Sequence, residues 1–273
     1  MIDVQNEPDH RGLPIDRVGV RNVSYPVFIA GDRANPGRSA DATFSMSVAL
    51  PAERRGVHMS RFIETIEEYA ASISPASVRA MTESLRVRLS SSSSEVEVRF
   101  PYFVRRRAPV SGKESLTRHD AVFKGTSFGD SFGLIAGVDA HVHTLCPCSK
   151  AISEFGAHNQ RAVVRIRVQP PNTDPPDLSD LINAAEHAAS APLYSLMKRE
   201  DEKRVTEAAY ERARFVEDVA RDVALAMSRD ARVAWYDVTV ESMESIHNHD
   251  AFAHIAGGSL KWGSPDGGEE NSG

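Results

Sequence analysis

Two cysteines and an uneven set of histidines hold most of the reactive chemistry in this chain. Cys146 and Cys148 are its only cysteines and stand one proline apart. Of ten histidines, His141, His143 and His158 surround that pair, while His247, His249 and His254 cluster towards the C-terminal end; His10, His58, His119 and His187 lie elsewhere. Imidazole is the commonest metal ligand and thiolate a strong one, so the run HVHTLCPCSK followed by AHNQR places several ligands and a nucleophile in one short stretch. A bridge between residues so close would be strained, and a secreted framework uses more cysteines, so both read as reduced thiols. No CxxC pair exists, which excludes zinc-finger and dithiol redox motifs. A base deaminase would need H-x-E followed by P-C-x-x-C and is excluded too. Singly, each of these residues is more often a packing or surface group. A cysteine, a histidine twelve positions on and a distant H-x-H pair together point to a site assembled across strands.

The elements that would position them follow from periodicity. Residues 18–29 (VGVRNVSYPVFI) and 42–50 (ATFSMSVAL) alternate apolar and polar residues, as half-buried antiparallel strands do. Residues 59–69 set Phe62, Ile63, Ile66 and Tyr69 on one helical face, and a second helix is predicted from Pro75 to about Leu89. The serines at 90–94 read as a solvated loop. Strand signals return at 96–104, around 121–127, at 134–145 and at 162–168. A helix over 178–189 with Asp177 as N-cap, one long helix over about 203–228 and a strand over 233–240 complete the pattern. On a strand, His141, His143 and Leu145 would project together, with Cys146 opening a turn that Pro147 fixes. The element order ββααββ occurs twice, and helices grouped between hairpins indicate an α+β antiparallel sheet with helices on one face.

Composition sets the outer bounds. The 273 residues are 41% hydrophobic and 26% charged, enough for a sizeable core and unlike a disordered chain. A formal charge of −6 is no nucleic-acid footprint, and no apolar run approaches the roughly 20 residues of a membrane span. The polar start lacks a signal-peptide pattern, so a cytoplasmic protein is expected. The expected division is a loose segment 1–14, a first unit 15–130, a second unit 131–256 with the Cys/His site, and a loose tail 257–273.

The stretch TLCPCSKAISEFGAHNQR (144–161) closely resembles the signature of GTP cyclohydrolase type IB, a prokaryotic enzyme family. Shorter blocks agree in order: VGVRNVSYP from Val18, HMSRF from His58, Glu97 with FPYF from Phe100, PLYSLMKR from Pro192, DEK from Asp201, VTE from Val205, FVED from Phe215 and ESMESIHNH from Glu241. They span residues 15 to 256. The resemblance implies two tandem tunnelling-fold (ββααββ) units per subunit, and a homotetramer with active sites at subunit interfaces. It also implies metal-dependent hydrolysis of GTP to 7,8-dihydroneopterin triphosphate and formate, the first step towards tetrahydrofolate and related pterins.

By the same resemblance, Cys146, His158 and Glu202 are the ligands of one divalent metal per site (zinc, manganese or iron), with Cys148 the weaker candidate. A thiolate, an imidazole and a carboxylate form a mixed soft and hard donor set, consistent with relaxed metal preference. Glu217 is the implied guanine anchor, since a carboxylate can accept from N1–H and the 2-amino group together. His247 and His249 have two roles open to them, proton transfer during ring opening or completion of the metal shell. Lys150 and Arg161, with Arg61 and Lys198 behind them, are the cations expected for the triphosphate. Glu200 stands where the family pattern has proline, and ERRGV from Glu53 replaces a more lysine-containing turn; these bear on loop shape and phosphate contacts. A tunnelling-fold nitrile reductase, with a cysteine nucleophile and no catalytic metal, and a non-catalytic metal- or nucleotide-binding protein are the alternative readings.

Overall fold

The computed structural model describes Gln5, residues 7–33 and residues 35–260. Chain order is β1 (Ile15–Ile29), β2 (Arg38–Leu50), α1 (Ser60–Tyr69), α2 (Pro75–Arg88), β3 (Ser93–Arg107), β4 (Glu114–Phe128), β5 (Ser131–Leu145), α3 (Pro147–Ile152), β6 (Asn159–Gln169), α4 (Leu178–Ala188), β7 (Ala191–Pro192), α5 (Arg199–Glu211), α6 (Val216–Arg229), β8 (Trp235–Ser242) and β9 (Ala251–Gly258). Among the described residues the strands make one nine-stranded antiparallel sheet in the order β1-β2-β3-β4-β5-β6-β8-β9, with the short β7 beside β5.

Period-two alternation gives this sheet one dry face. On β2, Ala42, Phe44, Met46, Val48 and Leu50 are buried, and they share a core with Phe62 and Ile66 of α1 and with Val78, Met81 and Leu85 of α2. Further along, Val138, Ala140 and Val142 of β5 and Val164 and Ile166 of β6 join Leu181, Ile182 and Ala185 of α4 and Val219, Val223 and Met227 of α6. Each fully buried aliphatic side chain contributes about 1.5–3 kcal/mol, so the helix-to-sheet layer dominates stability. Gly125 lets α2 settle onto β4, because a Cβ there would lie 2.5 Å from Thr82 Oγ1. The start of α2 is reciprocally capped: Ser77 N donates to Ser74 Oγ (3.2 Å) and Ser74 N to Ser77 Oγ (2.8 Å), with Pro75 in the first turn.

Several sequence expectations change. The single helix over 203–228 is two helices, α5 and α6. Apolar periodicity continues across the break, which masked it, but Arg214 N leaves the helical pattern to donate to Leu145 O (3.0 Å), and Phe215 turns extended to start α6. Ile63 is 40% exposed, so the buried face of α1 is narrower than the periodicity suggested. The serine run is structural. Ser93 and Ser94 belong to β3, Ser91 Oγ donates to Ala49 O (2.7 Å) and Ser94 Oγ to Thr82 O (2.6 Å). Asp177 occupies the N-cap position of α4 without a side-chain cap and binds Arg33 Nε instead (2.8 Å). Of the two expected tails, residues 1–4, 6 and 261–273 lie outside the described residues. Gln5, Glu7 and Asp9 make backbone hydrogen bonds to Gly56, Arg55 and Glu53, and β9 runs through Gly258.

His119 on β4 is fully buried; its Nδ1 accepts from His141 N (3.2 Å), and its Nε2 lies 3.9 Å from Glu186, which pairs with Arg106. Burial first, then the nearby His141 and Arg106, pushes its pKa down to about 4. The unfolded chain therefore takes up a proton near pH 6.5 that the native state refuses until about pH 4. Acidifying across that window should cost about 3 kcal/mol of stability. In denaturant titrations at several pH values, His119→Asn should flatten this part of the stability profile.

Candidate active site

The site begins where β5 ends. Leu145 O accepts from Arg214 N, Leu145 N donates to Ser190 Oγ (3.1 Å), and Cys146 N donates to His158 O (3.1 Å). Cys146 is the extended N-cap of α3, with Pro147 in the first turn, and its Sγ accepts from Ser149 N (3.5 Å). The β5–β6 ladder closes at Leu145 opposite Asn159, so Cys146 and His158 flank its open end however far apart they stand in sequence. Both thiols are free.

A cavity of about 500 Å³ opens there, within the range of small-molecule sites. Its lining brings together Cys146, Cys148, His158, Glu217, His247 and His249, and adds Thr144, Gln160, Arg214, Ser242 and Glu244. The ligand atoms of His158, Glu244 and His247 lie within 4.8 Å of one another, an arrangement able to hold a metal ion. The His158 and His247 rings meet edge-on at 6.1 Å, and His249 stacks on His247 at 5.2 Å. Gln160 orders the group. Its amide donates to Thr144 Oγ1 and Glu244 Oε1 (both 3.3 Å), and its carbonyl oxygen lies 3.0 Å from His158 Nδ1. With that oxygen accepting, Nδ1 carries the proton and Nε2 keeps a lone pair for a metal.

The structure does not bring every expected residue here. Glu202 lies exposed in the first turn of α5 and does not line the cavity. Its neighbour Asp201 is fully buried and binds Val110 N, Ser111 N, Ser111 Oγ and Lys198 N. Burial opposes ionisation of Asp201, but these donors prevail and hold its carboxyl well below the usual range. The start of α5 is thereby fixed with Glu202 facing outward. Lys150 donates to Tyr210 O (2.5 Å) and sits over the Tyr210 ring, Arg61 pairs with Glu64, and Arg161 and Lys198 are exposed away from the cavity. His141, His143 and His254 also lie elsewhere, against Asp120, Asn159 and Asp237. Glu217 lines the cavity from the first turn of α6, not from mid-helix as the unbroken helix implied. Sequence reasoning missed Glu244, Gln160 and Arg214. The E-x-x-H spacing of Glu244 and His247 was the available signal for the first; Arg214 was hidden by the unbroken helix pattern.

Gln160→Leu should leave the ligands in place but free the His158 ring. Titrating stripped protein with zinc against a competing chelator should show roughly 10- to 100-fold weaker binding.

The family model described as "Type I GTP cyclohydrolase folE2" matches residues 1–253. GTP cyclohydrolase FolE2 of Pseudothermotoga lettingae is 47% identical over 255 residues, 93% of this chain and 98% of that one. The protein of the same name from Fervidobacterium nodosum is 45% identical over 251 residues, 92% and 95% of the two chains. Among solved structures, uricase from Arthrobacter globiformis aligns with a TM-score of 0.50 at 7% identity, covering 91% of this chain and 95% of that one. A highly active BTUO mutant aligns with a TM-score of 0.54 at 9% identity, covering 90% and 100%. Identities this low concern architecture alone, and they bear out the expected α+β tunnelling fold. With a family match that spans nearly the whole chain and relatives above 40% identity, the chain belongs to the type I GTP cyclohydrolase folE2 family.

Proposed function

We propose that this protein hydrolyses GTP to 7,8-dihydroneopterin triphosphate and formate, as the prokaryotic type IB form of its family. The observation that carries the reading is the cavity that gathers Cys146, His158, Glu217 and His247 in a chain of this family. The reaction adds water at C8 of the purine, breaks the imidazole ring and releases C8 as formate. A divalent ion, when bound, supplies a hydroxide nucleophile at neutral pH by lowering the pKa of water. The donors in the cavity fit such an ion: His158, Glu244 and His247 bring ligand atoms within 4.8 Å of one another and Cys146 stands in the same lining, and the ligands proposed are Cys146 and His158, with zinc, manganese or iron as the ion. Gln160 keeps the His158 ring turned for that task. Glu217 accepts from guanine N1–H and the 2-amino group, setting the distance of C8 from the ligands. His247 and His249, stacked at the mouth, move protons at their ring nitrogens as the imidazole ring opens.

Two carboxylates compete for the remaining ligand position. Glu244 is already beside His158 (3.7 Å), whereas Glu202, on the outside of its own chain, can serve only the site of a neighbouring copy. Glu202 in that role agrees with a cytoplasmic homotetramer whose sites lie between subunits and whose subunits each contain two units, 15–130 and 131–256. No helix among the described residues is long and apolar enough to cross a membrane. Lys150, Arg161, Arg61 and Lys198, away from the cavity of their own chain, would likewise meet a triphosphate only across such an interface.

Incubating the protein with GTP and zinc, manganese or iron should give formate and, after oxidation, pterin fluorescence; none with any of the metals would refute the reading. Cys146→Ala should abolish turnover and lower bound metal, with Cys148→Ala milder. If Glu202 acts in trans, mixing inactive Cys146→Ala and Glu202→Gln subunits should restore roughly a quarter of wild-type turnover on random assembly. No recovery, with metal lost instead in Glu244→Gln, would give the ligand role to Glu244. Glu217→Gln should keep its metal but lose roughly 10- to 150-fold in kcat/KM for GTP, the effect of about 1.5–3 kcal/mol of charge-assisted hydrogen bonding.

A further inference from the structure

We infer that Arg214 reads the base of the substrate, its guanidinium donating to the O6 carbonyl of guanine beside the edge gripped by Glu217. This rests on the GTP reading above and deepens it. Guanine presents three groups in a row, the O6 acceptor, the N1–H donor and the 2-amino donor. A carboxylate satisfies the two donors and offers nothing to the acceptor. Among the described residues Arg214 is the one permanent cation in the cavity lining, and only Phe215 and Val216, themselves in the lining, separate it from Glu217.

Several of the other lining donors are already engaged. Gln160 gives its amide to Thr144 and Glu244, and the Thr144 and Ser242 hydroxyls share a hydrogen bond (3.4 Å). Arg214 is held from two sides. Its backbone N–H is bound to Leu145 O, and Nη2 stands 3.6 Å from Asp222. Its Nε has no hydrogen-bond partner among the described residues and no contact with solvent, while the side chain as a whole keeps 31% of its surface, so the base of the guanidinium is seated in the cavity wall and its far end is left accessible to a ligand. Such a group suits a planar, fixed acceptor. A flexible polyphosphate is met by several cations together, and here the single arginine shares the lining with Glu217 and Glu244. Adenine would turn an amino donor towards the guanidinium, donor against donor, so the same contact rejects the wrong purine as well as holding the right one.

The test compares wild type, Arg214→Met and Arg214→Lys on GTP, on 6-thio-GTP (sulfur for O6 with N1–H and the 2-amino group intact) and on inosine triphosphate, which lacks the 2-amino group. Removing the guanidinium should lower kcat/KM for GTP by roughly 10- to 100-fold, as expected for one lost charge-assisted hydrogen bond. The same change should barely alter 6-thio-GTP turnover, and the preference for GTP over inosine triphosphate, set by Glu217, should persist. Arg214→Lys, which keeps the charge beside Asp222, should fall between. Guanosine, having no phosphate, should bind about tenfold more weakly to Arg214→Met by calorimetry. An undiminished preference of Arg214→Met for GTP over 6-thio-GTP would overturn the inference, as would unchanged guanosine binding, which would move Arg214 to the phosphates. Equal metal content and melting temperature in the variants keep these outcomes separate from misfolding. Failure of the wild type itself to release formate from GTP would instead remove the underlying reading.

Discussion

Everything in the site hangs on the last residue of β5. Leu145 and the adjoining Cys146 amide join three otherwise separate segments: the α4–β7 connection through Ser190, the approach to α6 through Arg214, and the start of β6 through His158. Each is a backbone group that would be costly to leave unpaired in a closed region. Once all are satisfied, the thiol, the imidazole and the α6 carboxylate have little freedom relative to one another. The sheet provides the rigidity, since β5 is paired along its length and its inner face is packed under α4.

Polarity within the cavity is graded by depth. His158 and Glu244 keep about a tenth of their side-chain surface (11% and 13%), tied through Gln160, while His247, His249 and Glu217 stand at the exposed rim. Groups that must hold one geometry lie where water cannot compete for their hydrogen bonds; groups that must meet a substrate or exchange protons lie where water and ligand can reach them. His119 and Glu186 form a second buried polar cluster, and neither lines the cavity. It contributes to the acid sensitivity of the fold and takes no part in the chemistry described for the site.

Much of the fold could be read from the chain because local and global preferences coincide. In β2 the alternation from Ala42 to Leu50 is also the alternation of burial, and in α2 Pro75 marks the start that packing requires. Reading failed where tertiary contacts overrode local pattern. The break between α5 and α6 is made by Leu145, some 70 residues away, and no periodicity within residues 203–228 announces it. The site was legible in part for the same reason. Cys146 and His158 belong to one dense motif and His247 to a second, distant one, whereas Arg214 gains its meaning only from the break, and the outward position of Glu202 depends on Asp201 binding a turn that lies far back in the chain.

The ladder between β5 and β6 also separates geometry from sequence distance. Because pairing runs from Ala136 opposite Val168 to Leu145 opposite Asn159, the relative position of Cys146 and His158 is a property of strand register. The segment between them is a short helix and a loop whose Ile152 and Phe155 are almost wholly exposed, 86% and 96%. Descendants of this chain could lengthen, shorten or recompose that loop at small entropic cost while the two donors stay in place. A single-residue insertion inside either strand would be another matter, since it would turn every side chain beyond it to the opposite face of the sheet. The freedom to vary and the obligation to stay the same thus lie a few residues apart, and the boundary between them is the last rung of the ladder.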